Sequence, residues 1–73
     1  MMQIYFKKDG SSDWLEYGPV RNLYSFNRDF YDWIFEYYNE EQCTVKSWVE
    51  ALEVLNTVGA SAKAGYFKLE EVL

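Results

Sequence analysis

The chain contains no histidine, a single cysteine, Cys43, and a single proline, Pro19. Without histidine, the side chain that most often serves as general base or metal ligand is missing. A lone thiol forms no internal disulfide and builds no structural zinc site. Bases are scarce too: seven Lys and Arg stand against twelve Asp and Glu, for a formal net charge of −5. That balance works against phosphate contacts, which need clustered Lys and Arg, and against anionic membrane surfaces. No apolar run approaches the ~20 residues of a spanning helix. The opening residues, MMQIYFKKDG, put their charges after a very short apolar stretch, unlike an export signal. The expectation is a chain of the reducing cytoplasm with no metal, no cofactor, no direct nucleic-acid contact and no membrane contact.

What the chain does have is aromatic mass. Three Trp, seven Tyr and five Phe are spread over 73 residues, enough for one small domain covering 1–73. A domain this short buries only about 60% of the surface its unfolded form exposes. With no disulfide or metal to help, large rigid rings or self-association must supply the stability.

Hydrophobic period divides the chain. MQIYFKK at 2–8 alternates, Ile4 and Phe6 on one face and Tyr5 and Lys7 on the other. DGSS at 9–12 is turn chemistry, and DWLEY at 13–17 alternates again, which together read as a β-hairpin. Gly18 and Pro19 end it. Asn22 or Ser25 offers a helix cap. From Phe26 to Glu40 the period turns helical. Phe26, Phe30, Trp33, Ile34 and Tyr37 form one stripe, Tyr31, Phe35 and Tyr38 a second, and Asp29, Asp32, Glu36 and Glu40 an acidic third. After NEEQC, a second helix is expected from Thr44, or from a Ser47–Glu50 capping box, to a C-cap at Gly59. Its expected buried face is Val45, Trp48, Val49, Leu52, Leu55 and Val58. GASAKAG at 59–65 reads as a loop, and GYFKLEEV at 65–72 as a third strand with Phe67 and Leu69 inward.

The order ββααβ predicts an α+β fold. Its three-stranded antiparallel sheet, in spatial order 2-1-3, is packed on one face by a two-helix hairpin. An alternative keeps both helices and reduces the strands to a loose edge.

Catalytic readings find little to stand on. Cys43 precedes a helix, but no histidine serves it as base, and Glu40 and Glu41 oppose a thiolate. Carboxylate pairs such as Asp32 with Glu36 fall on a solvated face, where nothing would drive their pKa values apart. DGSSD at 9–13 lacks the ligand pattern of a calcium loop. A groove-reading second helix would expose Glu50, Glu53 and Asn56 with only Lys46 in support. Tyr5, Trp14, Tyr17 and Tyr66 could stack bases, but Glu16, Glu70 and Glu71 lie among them.

The stretch DFYDWIFEYYNEE at 29–41 therefore carries the functional expectation. The stripe of Phe26, Phe30, Trp33, Ile34 and Tyr37 belongs to the core. The candidate partner-binding residues are Asp29, Asp32, Glu36 and Glu40 with Tyr31, Phe35 and Tyr38, although a wide core could also absorb that aromatic stripe. No family pattern emerges from these residues. The profile is shared by small non-enzymatic inhibitors and adaptors, including phage and mobile-element proteins of the anti-CRISPR kind, immunity proteins and antitoxins. The expected partner is a host protein that handles nucleic acid, its basic groove occupied by a row of carboxylates. The alternative is a structural or adaptor protein that forms a homodimer through its aromatic stripe.

Overall fold

Alternation over the first residues does produce a strand. In the computed structural model, which describes residues 1–73, β1 is Met2–Lys8, β2 Leu15–Glu16 and β3 Gly65–Glu71. Between them come α1 (Leu23–Asp29), α2 (Tyr31–Tyr37), α3 (Trp48–Val54), a π-helical segment (Leu55–Gly59) and α4 (Ala60–Lys63). The sheet is antiparallel in the order β2-β1-β3. The fold is the expected α+β arrangement, with β3 added beside β1. Phe6 faces Phe67 and Tyr5 faces Lys68 across that pairing, so the inward and outward sets of the two strands coincide.

The hairpin is looser than its alternation suggests. Asp9 and Gly10 turn the chain, Gly10 at φ 86°, and Ser11 N–H donates to Lys8 O at 2.9 Å. Only Tyr5–Glu16 and Phe6–Leu15 then pair, because residues 11 to 14 leave the ladder. Beyond Gly18 and Pro19 the pairing resumes at one point. Met2 and Arg21 exchange two backbone hydrogen bonds, each 2.8 Å. The buried Gln3 amide fills the gap by donating to Ile4 O at 3.0 Å and Gly18 O at 2.9 Å.

Both helical arms depart from the expected outline. Asn22 caps α1: it accepts from Ser25 N–H at 2.8 Å, and Ser25 Oγ accepts from Asn22 N–H at 3.1 Å. The helix predicted from Phe26 to Glu40 breaks at Phe30, which sits at φ −112°, ψ 26°. Phe30 ends α1 by donating to Phe26 O and opens α2 by accepting from Ile34 N–H. The bend lets Phe26, Phe30 and Ile34 all reach the core.

The second arm starts at the second of its two expected caps, Ser47, and ends later than expected. Thr44 caps nothing. Ser47 accepts from Glu50 N–H at 3.3 Å, while Glu50 reaches back to Lys46 N–H at 2.9 Å. Val45 is buried from the loop instead, because Asn27 grips its backbone at both N–H (2.8 Å) and O (3.1 Å). Gly59 is no C-cap and 59–65 is no loop: Gly59 is helical and buried, and the true cap is Ala64 at φ 55°. Small residues in GASAKAG read as flexible, yet here they let the helix pass close under Trp33. A Cβ on Gly59 would lie 2.7 Å from Trp33 Cζ3.

The buried face of this arm is also rotated from the predicted one. Ala51, Val54 and Leu55 are buried, whereas Val49 is 72% exposed and Trp48, Leu52 and Val58 are half-buried. Ala51 decides this. Its short side chain is fully buried, and the hydrophobic spacing of the larger residues masked it. Ile4, Phe67 and the buried helical side chains then close one core between two layers, in a molecule 17 Å thick along its shortest axis.

Candidate functional site

The seven candidate residues do not stay together. Asp29 closes α1 and is held by two arginines, with Arg21 Nε 2.9 Å from Oδ2 and Arg28 Nε 3.0 Å from Oδ1. Hydrogen bonds from Arg28 first and Arg21 second hold its carboxyl below the usual carboxylate range. Its charge is spent inside the molecule. Asp29 therefore leaves the proposed acidic row, which the break at Phe30 had already interrupted.

Tyr38 leaves the aromatic stripe in the same way. It packs against the core at the end of α2, its ring edge-on to Tyr37 at 4.9 Å. Burial raises its phenol pKa first, and the Glu50 and Glu53 charges raise it further. Tyr37 lies alongside, donating to Glu53 Oε2 at 3.1 Å. Those two half-buried rings lie between α2 and the acids of α3. This pairing was invisible to the wheel because it depends on where α3 lies.

The other five remain on one surface. Asp32, Glu36 and Glu40 are exposed, and none of them forms an ion pair or a side-chain hydrogen bond within the molecule. With Phe35 and Asn39 they line an open hollow of about 400 Å³. Tyr31, 47% exposed, stacks on Phe35 with ring centroids 5.7 Å apart and planes at 22°. Neither ring belongs to the hydrophobic core cluster.

How Glu40 joins the hollow explains why a helical wheel misplaces it. The helix ends at Tyr37, and the chain closes it with a Schellman turn. Asn39 N–H donates to Glu36 O at 3.1 Å and Glu40 N–H to Phe35 O at 2.8 Å. Both residues are left-handed, Asn39 at φ 55° and Glu40 at φ 68°. Asparagine tolerates that region, but glutamate is strained there. The turn, not a helical repeat, carries the third carboxylate back beside Phe35.

Two further surfaces stand out, one unnoticed in the sequence and one, the sheet-face aromatics, weighed there for base stacking and set aside. Tyr24, 75% exposed, and Tyr31 flank a shallow apolar hollow with Arg28, Cys43 and Thr44. On the open sheet face, Lys7 lies 5.4 Å from the Trp14 ring centroid, and Lys68 lies 4.9 Å from it. Lys68 also pairs with Glu70 at 3.1 Å. Those lysines set their ammonium groups over the rings, and the alternation of 2–8 and 65–72 was the signal that could have shown it. No helix is long and apolar enough to cross a membrane. No protein family matches the chain, and no curated protein or solved structure is detectably similar to it.

Proposed function

We propose that the chain is a small non-enzymatic protein that binds another protein through the α2 surface, and that its partner presents a basic groove shaped for nucleic acid. One observation carries this reading: Asp32, Glu36 and Glu40 line one hollow with Phe35, and none of them forms an ion pair within the chain. Carboxylates held on a helix and its closing turn match a row of Lys and Arg, and the complementary fields speed encounter at low salt. The Tyr31–Phe35 stack provides a rigid aromatic anchor at the edge of the charge, the composition that protein interfaces favour.

An inhibitor that occupies the nucleic-acid groove of a host defence or nucleic-acid enzyme fits this surface, and such a partner would be met in the cytoplasm. The experiment uses the intact chain as bait in the source cell's lysate, with Asp32→Lys, Glu36→Lys and Glu40→Lys combined in a second bait. The expected result is a nucleic-acid-handling partner that is displaced by its own nucleic acid, released by salt, and lost from the triple variant. A partner retained by a folded triple variant, or one not displaced by nucleic acid, removes the reading. Self-association is the second reading, favoured by the exposure of Tyr24 and Tyr31 on one apolar hollow.

A further inference from the structure

We infer that residues 11–16 form a strap over the sheet that opens without unfolding the rest of the chain. Its latch is the Trp14 ring, held by the charges of Lys7 and Lys68.

Apart from that ring, little holds the strap down. The chain bends sharply at both of its ends, at Gly10 with φ 86° and at Gly18 with φ 79°. β2 is only two residues long, and residues 11 to 14 pair with nothing in the sheet. The Asp13 N–H donates to Ser11 Oγ at 3.1 Å, a bond that stays inside the strap. Leu15 stands opposite Phe6 and shares its inward face, yet it is 66% exposed and adds nothing to the core. Tyr17 restores the anchorage just beyond, with its ring centroid 5.3 Å from Phe67 and 5.9 Å from Phe6. A short ladder with few buried contacts is the kind of segment that opens locally.

The latch is built from three segments. The register of β1 on β3 sets Tyr5 opposite Lys68 and Lys7 opposite Tyr66, so rings and ammonium groups alternate on the outer face. Lys68 Nζ lies 5.3 Å from the Tyr5 ring centroid, and Lys7 Nζ lies 5.7 Å from that of Tyr66. Trp14 spans both strands, with Lys7 Nζ at 5.4 Å and Lys68 Nζ at 4.9 Å from its centroid. Indole is the aromatic face that attracts a cation most strongly. The ring is 36% exposed although its residue belongs to no strand. When the strap lifts, β3 stays paired with β1, and β1 changes from a central strand to an edge at Tyr5 and Phe6.

Amide hydrogen exchange on the intact chain tests this, with each rate corrected for the intrinsic rate of that amide. Tyr17 N–H donates to Ile4 O at 2.8 Å, so Leu15, two residues earlier, also turns its amide toward β1. Ile34, whose N–H donates to Phe30 O at 3.0 Å, reports the helical core. Leu15 should exchange faster than Ile34 in the native chain. Lys7→Met and Lys68→Met keep an apolar stem and remove the charge. Each should speed exchange at Leu15 about threefold, and the two together about tenfold, with Ile34 unchanged. Trp14→Leu should also speed Leu15, and in that background the two lysine changes should add nothing further. A common rate for Leu15 and Ile34, or a common response to the variants, means that the strap opens only with the whole molecule and overturns the proposal. Lysine changes that leave Leu15 unaffected, or that act equally without Trp14, overturn the latch.

Discussion

Asp29 has a partner on each oxygen, and that makes it a stability residue. Its folded-state pKa lies below the unfolded value of about 3.9. The pairing therefore contributes stability at all pH values above the unfolded pKa, and the contribution disappears as pH falls through the folded one. Asp29→Asn should be less stable than the native chain at pH 7, and the gap should narrow below about pH 4. Urea unfolding at pH 7 and pH 2.5 measures it; a gap that is the same at both contradicts the assignment. Two left-handed residues give a second test. Ala64 at φ 55° and Glu40 at φ 68° each hold a side chain where glycine is at ease. Each change to Gly should stabilise by about 1 kcal/mol, or roughly 4–8 °C in Tm for a domain of this size. Glu40→Gly should also weaken partner binding, whereas Ala64→Gly should leave it alone. A variant more stable and less active is the signature of strain kept for function.

At the level of elements, one sheet edge and one helix joint depend on an asparagine and a glycine. Asn56, on the π-helical segment, accepts from Phe67 N–H at 2.8 Å and donates to Phe67 O at 3.0 Å, capping the outer edge of β3. Removing it leaves both backbone groups without that partner, so Asn56→Ala should cost about 1–3 kcal/mol. Hydrogen exchange at the Phe67 amide should speed up accordingly; unchanged protection would mean that water substitutes fully. Gly59 tests the joint below Trp33. A Cβ there gains about 1 kcal/mol of helix propensity. It also meets Trp33 at 2.7 Å and Phe67 at 3.1 Å, and overpacking of that kind costs about 1–3 kcal/mol. Gly59→Ala should lower Tm, and a rise would show that Trp33 yields freely. Both escaped the sequence reading. Glycine looks like a helix end when only local preference is considered, and Asn56, placed on the exposed side of the helix, gave no sign of the strand edge it meets.

For the whole molecule, most of the acid is unpaired. Asp29, with Arg21 and Arg28, and Glu70, with Lys68, form the ion pairs. Asp32, Glu36 and Glu40 are left facing outward on one side. Charge steering from that side should make association with a basic partner fall steeply as salt rises, with the change in the on-rate. Stopped-flow association at two ionic strengths reads it. An on-rate indifferent to salt would place the energy in Tyr31 and Phe35 alone. The core is thin, with nine hydrophobic residues buried, so variants that test the surface must leave Phe26, Phe30, Ile34 and Leu55 untouched.

The strands of the sheet and their order 2-1-3, the inward set Ile4, Phe6, Phe67 and Leu69, and the cap at Asn22 were legible in the sequence. Period-two alternation assigns a side chain to one of two faces whatever surrounds it, and a cap is local chemistry between neighbouring residues. The acidic stretch was legible as composition, and helical spacing placed Asp32 with Glu36 and Tyr31 with Phe35, as they lie on α2. Only the tertiary structure decided the rest. Where Arg21 returns past Gly18 removes Asp29, where α3 lies removes Tyr38, and a left-handed turn brings Glu40 back. Each depends on segments far apart in the chain or on φ angles against residue preference, and helical spacing carries no information about either.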